Sequence, residues 1–201
     1  GDAVERLYRG DLPDRAVALT FDDGYFDFLQ RAWPLLQEYD YPATVYLPTL
    51  RCEHNLPIMN VLVSYMLWQR REAMLNAPEV PGLGADTYPL ATAAQRAAVL
   101  KRITDTIDPS DPGPDERDAV ARAIARRLGL DFDRFAADRV LTLMNRSEVA
   151  DLASRGVDFQ LHTHRHRTPE NDERFVEEIR ENRERIEPMT GRPAVHFCYP
   201  S

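Results

Sequence analysis

Val17-Ala18-Leu19-Thr20-Phe21-Asp22-Asp23-Gly24 decides how the rest of this chain is read. Val17 to Phe21 is a short apolar run of residues that suit a pleated surface, and it reads as a buried β-strand. It ends in two adjacent carboxylates and a glycine. A buried strand gains nothing from two acids at its tip. They repel each other, and taking them out of water is costly unless a cation or hydrogen-bond donors compensate. At the carboxyl end of a parallel strand, by contrast, α/β enzymes place their chemistry. The pair therefore points to one acid on a metal ion and one handling protons. An Asp-Asp-Gly surface turn is the alternative, and this stretch alone leaves both readings open.

Downstream, Tyr25–Phe28 reads as a loop and Ala32–Tyr39 as a helix, with Pro34 in its first turn and Leu35, Leu36 and Tyr39 available for packing. Tyr41-Pro42 breaks it, and Ala43–Leu47 is a second strand stopped by Pro48. Strand, helix, strand over this length is a βαβ unit, so the two strands are expected to be parallel. Residues 50–140 read differently. Asn60–Asn76, Thr92–Ile107 and Asp115–Leu128 are expected helices, separated by a loop over Pro78–Pro89 and a break over Asp108–Pro114, with no strand evident. This region reads as a helical insertion, either structural cover or a lid over the strand ends.

The α/β pattern then resumes. Asn145 and Glu148 fit a capping box opening a helix to about Ser154, closed by Gly156. Val157–Leu161 is a third strand and leads into His162-Thr163-His164-Arg165-His166. Asp172–Met189 is a long charged helix with Phe175, Ile179 and Ile186 spaced for one buried face and its Glu and Arg residues on a solvated one. Val195–Tyr199 is a fourth strand.

Three of the chain's five histidines therefore fall within five residues just after a strand. His162 and His166 are four apart, a spacing that lets a turn bring both imidazoles to one side. Two imidazoles and one carboxylate make a three-ligand set with positions left for water, which suits a catalytic zinc or similar divalent ion rather than a closed structural site. His164, offset by two, is expected to point elsewhere.

Composition narrows the field. The chain has 201 residues and a formal net charge of −8, which argues against a nucleic-acid groove or an anionic membrane surface as partner. No apolar run approaches a membrane span. Cys52 and Cys198 make neither a disulfide framework nor a Cys-x-x-Cys site. The opening residues are not a signal peptide, so a cytoplasmic location is the default expectation. The pattern fixes no oligomeric state.

The motifs resemble those of the polysaccharide deacetylase family, carbohydrate esterase family four. Thr20-Phe21-Asp22-Asp23-Gly24 matches the family's first motif at every position. His162, Thr163 and His166 meet its second, His-Ser/Thr-x-x-His, and Phe197-Cys198-Tyr199-Pro200-Ser201 looks like a variant of its third. The resemblance covers about Arg15–Leu47 and Leu141–Ser201. It implies an α/β fold, here a partial or truncated (β/α)7 barrel made by residues 1–49 and 141–201, with the helical insertion 50–140 between strands. It implies Asp23, His162 and His166 as ligands of a divalent metal, zinc being the best fit, and Asp22 as the general base. Thr163 would hold the metal loop's shape, and the Ser201 backbone N–H would help to bind the oxyanion.

Departures from the pattern are equally informative. Cys198 stands where such family members have a base-orienting arginine. The general acid of a Leu-x-His motif and a tryptophan-and-aspartate motif would lie beyond Ser201, so the natural protein is expected to continue there; His196 comes too early to be that acid. The function implied is hydrolysis of an acetyl group from an N-acetylated, or less readily O-acetylated, sugar of a polysaccharide or glycan precursor, with carbohydrate as the partner. The alternatives are an amidohydrolase of the same superfamily acting on a non-sugar C–N bond and a catalytically incomplete carbohydrate-binding module. A phosphoryl-transfer use of the Asp pair lacks a Gly-rich phosphate loop.

Overall fold

The alternation at Thr44–Leu47 sets the sheet: Val45 and Leu47 are fully buried, while Thr44 and Tyr46 are half-buried on the other face. In the computed structural model, which describes residues 2–54, 57–106 and 114–200, the chain opens with α1 (Asp2–Arg9), β1 (Thr20–Asp22), a π-helical turn (Phe28–Ala32), α2 (Trp33–Glu38), β2 (Thr44–Leu47) and α3 (Thr49–His54). Next come α4 (Met59–Gln69), β3 (Met74–Asn76), β4 (Thr87–Pro89), α5 (Ala93–Thr106), α6 (Pro114–Arg127) and α7 (Phe132–Ala137). The chain then runs through α8 (Arg146–Ser154), β5 (Asp158–Leu161) and α9 (Asp172–Thr190). It divides into two units, Gly1–Leu56 with Thr142–Ser201, and Pro57–Leu141.

The first unit is α/β. Its sheet has the order β1-β2-β5, all parallel, with Thr20 beside Thr44, Thr44 beside Asp158 and Leu47 beside Leu161. Val45, Leu47, Phe159 and Leu161 build one core with Trp33, Val149, Leu152, Ile186 and Met189, so the apolar face of the sheet is covered by α2, α8 and α9. Removing this apolar area from water is the main stabilising term. The strand tips carry the chain into Asp23 on one side and His162 on the other, which places both beyond the carboxyl ends of parallel strands.

Several expectations are corrected here. Val17 is 82% exposed, and the first strand starts only at Thr20; among the described residues β1 has a ladder partner on one edge alone. The chain is helical from Phe26, where a loop was expected, and Trp33 N–H reaches back five residues to the Phe28 carbonyl. Pro34 has no N–H to continue an α-ladder, and the widened turn ahead of it accommodates that. The fourth strand, Val195–Tyr199, shrinks to a single parallel bridge between Leu161 and Phe197. The N–H groups of Val195 and His196 both donate to Gln160 Oε1, at 2.9 and 2.8 Å, so a side chain takes donors that a longer ladder would use. On α9, Glu178 is 1% and Asn182 0% exposed, so its acidic and polar residues are not confined to a solvated face.

The second unit packs α4, α5 and α6 around Leu62, Val63, Met66, Leu67, Val99, Ile103 and Ile124. Where no strand was expected, β3 and β4 pair antiparallel, and Met74 lies in β3 rather than in a helix continuing to Asn76. Leu75 is fully buried and Met74 exposed, the alternation of a strand rather than the stripe of a helix. Most of the expected break over Asp108–Pro114 lies outside the described residues. Among the described residues no helix is long and apolar enough to cross a membrane.

The capping box at α8 has both of its bonds: Glu148 N–H donates to Asn145 Oδ1 at 3.0 Å, and Asn145 N–H to Glu148 Oε2 at 2.7 Å. Asn145→Ala removes one of them, and the expected loss is about 1 kcal/mol of unfolding free energy, read as a lowered urea midpoint at unchanged slope.

Candidate metal centre

Asp22 and Asp23 are adjacent but occupy different surroundings. Asp22 is the last residue of β1 and is exposed. Asp23 sits at the centre of a tight turn closed by Gly24 N–H donating to the Asp22 carbonyl at 2.8 Å, with its own φ at 67°. A three-residue turn with positive φ at its centre is a rare, strained form. Gly24 has φ 68°, and a Cβ there would lie 2.6 Å from Leu47 Cδ1, so only glycine fits. The turn is pinned on its far side: Met144 N–H donates to the Gly24 carbonyl and Phe26 N–H to the Thr142 carbonyl, both at 2.9 Å.

Beyond β5, His162 and His166 turn back towards Asp23. Asp23 Oδ1 lies 2.9 Å from His166 Nε2 and 3.4 Å from His162 Nε2, and the two imidazole centroids are 5.2 Å apart. Asp23, His162 and His166 thus offer three ligand atoms within 4.8 Å of one another. Thr163 (φ 63°) and His166 (φ 55°) are also left-handed, an unfavourable conformation for a β-branched residue. Thr163 Oγ1 accepts from Arg167 N–H at 3.1 Å, a bond that closes the loop on itself.

The protons in this cluster follow from its partners. His162 Nδ1 lies 2.9 Å from the Cys198 carbonyl oxygen, which can only accept. Nδ1 is therefore the protonated nitrogen, and in the neutral ring Nε2 presents a lone pair to Asp23. Asp23 Oδ1 is buried and receives no aligned hydrogen bond among the described residues. An imidazole lone pair and a carboxylate oxygen facing each other repel unless a proton or a metal cation lies between them. Burial by itself pushes the Asp23 pKa up; His162 and His166 outweigh it and hold the carboxyl well below the usual carboxylate range. The donor set, one carboxylate and two imidazoles with one tautomer fixed by an outer hydrogen bond, fits a divalent transition metal.

Other side chains complete the surroundings. Tyr25 lies against Asp23, and burial together with the Asp23 charge raises its pKa, keeping the phenol neutral. His164 points away from the cluster, as its offset suggested: it is buried, with Nδ1 2.8 Å from Thr49 Oγ1, and burial lowers its pKa. Asn182 Oδ1 accepts from His162 N–H at 2.8 Å, and Glu178 Oε2 accepts from Arg165 N–H at 2.8 Å. Tyr25, Glu178 and Asn182 went unnoticed in the sequence. Glu178 and Asn182 stand four apart in line with Ile186, so polar residues on the apolar stripe of α9 were the available signal. Cys198 Sγ lies 3.9 Å from Asp22 Oδ2, in the place where the resemblance implied an arginine. Ser201, the expected oxyanion donor, lies outside the described residues.

The two thiols differ sharply. Cys52 is 1% exposed, and burial pushes its pKa up to about 12, whereas Cys198 is only partly covered, its pKa raised by burial and by the Asp22 charge. The reactive species is the thiolate. Alkylation of the native protein near pH 8 is expected to modify Cys198 slowly and Cys52 only after unfolding, which peptide mass mapping distinguishes.

The profile of the family described as polysaccharide deacetylase matches residues 9–108 and 111–201. A 42-residue segment is 48% identical to the poly-beta-1,6-N-acetyl-D-glucosamine N-deacetylase of Escherichia coli strain K12 and equally to that of strain O157:H7; it covers 20% of this chain and 6% of each relative. Among solved structures, the Streptococcus pyogenes deacetylase PplD in complex with acetate superposes with a TM-score of 0.50 at 14% identity, over 100% of this chain and 53% of that one. The deacetylase domain of Bordetella bronchiseptica BpsB does so with a TM-score of 0.50 at 16% identity, over 99% and 61%. The chain therefore spans little more than half of these solved chains, and at such identities the likeness speaks for an α/β fold. On the profile match, the chain belongs to the polysaccharide deacetylase family.

Proposed function

We propose that this chain carries the metal-binding part of a hydrolase that removes acetyl groups from the N-acetylated sugars of a polysaccharide. The observation that carries the reading is the convergence of Asp23, His162 and His166 on one point beside an exposed second acid, Asp22. Family membership supports the reaction class. The name of the Escherichia coli relative, over its short match, supports an N-acetylglucosamine polymer as substrate. The parallel order β1-β2-β5, with the acids and imidazoles beyond the strand tips, is what an arc of a (β/α)7 barrel would present.

A divalent ion held by Asp23, His162 and His166, zinc by the nature of the donors, would supply Lewis-acid polarisation of the acyl oxygen and of water. The protein's own groups do the rest. The Cys198 carbonyl keeps the proton of His162 on Nδ1, which leaves Nε2 free to ligate. Asp22, exposed next to Asp23, would take a proton from the attacking water. Burial and the Asp23 charge keep Tyr25 protonated, so its phenol does not compete as an anionic ligand.

The test is an acetate-release assay on oligomers of N-acetylglucosamine with metal analysis of the same samples. Asp22→Asn is expected to lose at least about a hundredfold in turnover while retaining its ion, and His166→Ala to lose the ion. Full activity in Asp22→Asn would overturn the base assignment, and metal retention in His166→Ala the ligand set.

A further inference from the structure

The loop that carries both imidazoles is tied to α9. From Leu161 to Arg167 it passes through two left-handed residues, Thr163 and His166, and within it Thr163 Oγ1 accepts from Arg167 N–H. What fixes it comes from α9. Asn182 is fully buried and uses both ends of its amide: Oδ1 accepts from His162 N–H at 2.8 Å, while Nδ2 donates to the Leu47 carbonyl at 2.9 Å and to Thr49 Oγ1 at 3.0 Å. Thr49 Oγ1 in turn lies 2.8 Å from His164 Nδ1. One turn earlier, Glu178 accepts from Arg165 N–H at 2.8 Å, from Arg165 Nη1 at 3.1 Å and from Arg167 Nε at 2.9 Å, itself 1% exposed. Arg165 Nη1 also reaches Glu181 Oε2 at 2.6 Å.

We infer that Asn182 and Glu178 are positioning residues that set the affinity of the Asp23–His162–His166 centre for its ion. The inference rests on the metal reading given above and goes beyond it. Neither residue touches the ligand atoms. Asn182 fixes the main chain of the first imidazole relative to the end of β2, and Glu178 holds the main chain between the two imidazoles. A buried carboxylate and a buried amide that tie one loop to the end of β2 are a poor way to stabilise a helix, since apolar residues of similar volume would fill the same space without desolvating a charge. They are a good way to fix where two ligands point before the ion arrives, because outer groups that orient ligands typically change metal affinity by about 10–100-fold.

The test compares Asn182→Leu, which removes all of its amide bonds, and Glu178→Gln, which removes the charge and one of the two acceptor oxygens, with Ile186→Val, an apolar truncation in the same buried stripe of α9. Zinc affinity is measured by competition with a chromophoric chelator, and the thermal midpoint of the metal-free protein is measured alongside. The expected result is zinc affinity lower by tenfold or more in Asn182→Leu and Glu178→Gln and unchanged in Ile186→Val, even where all three melt earlier. If Asn182→Leu melts before zinc can be added, Glu178→Gln alone decides. Unchanged affinity in the folded variants would make these residues purely structural and overturn the inference while leaving the metal centre standing. A wild-type protein that takes up no zinc would overturn the centre and the inference together.

Discussion

One carboxylate and two imidazoles meet where the parallel strands end, and the local structure is arranged around that encounter. Asp23 Oδ1 is buried, receives no aligned hydrogen bond among the described residues, and faces the Nε2 atoms of His162 and His166 at 3.4 and 2.9 Å. In water each group would be solvated and apart. Here the sheet register brings them together: β2 lies between β1 and β5, so the turn after Asp22 and the loop after Leu161 leave the same end of the sheet. The alternation of Val45 and Leu47 with Thr44 and Tyr46 fixes that register, because a slip of one residue would expose the apolar pair.

Holding these groups there has a conformational cost. Asp23, Thr163 and His166 all have positive φ, a strain of roughly 1–3 kcal/mol at each such residue. The compensation comes from groups remote in sequence: the Thr142–Met144 segment for the Asp23 turn, and Glu178 and Asn182 for the histidine loop. Such strained conformations persist only where the surroundings over-determine them, and both loops are tied on more than one side. Leu47 closes the arrangement, since it packs in the core with one methyl where a Gly24 side chain would have to go and gives its carbonyl to Asn182.

Sequence reading was most reliable where chemistry is local. The Asp-Asp-Gly tip, the histidine spacing, the α8 capping box, the parallel β1–β2 unit and the extent of α9 are each properties of residues close in sequence, and each is present. What escaped is tertiary. Val17 looks like strand interior, but only a neighbouring strand would bury it. Val195–Tyr199 has the composition of a strand, yet the Gln160 side chain, thirty-five residues away from Val195, takes two of its N–H groups. Glu178 and Asn182 pass for members of a charged helix surface, because their partners, Arg165, Arg167, His162 and Leu47, lie across the fold. The short β3–β4 pair escaped for the same reason: Met74–Asn76 continues a helical pattern locally, and only pairing with Thr87–Pro89 makes it a strand.

Adjacency of the two acids looks redundant until the backbone is considered. Successive residues of a strand point to opposite sides, so two neighbouring aspartates in an uninterrupted strand would be separated by the sheet itself. The positive φ of Asp23 interrupts that alternation just as β1 ends. It turns the second carboxylate into the imidazole cluster while the first stays exposed beside it. With Asp22 Oδ2 3.9 Å from the Cys198 thiol, the exposed acid meets a weak donor rather than a fixed positive charge.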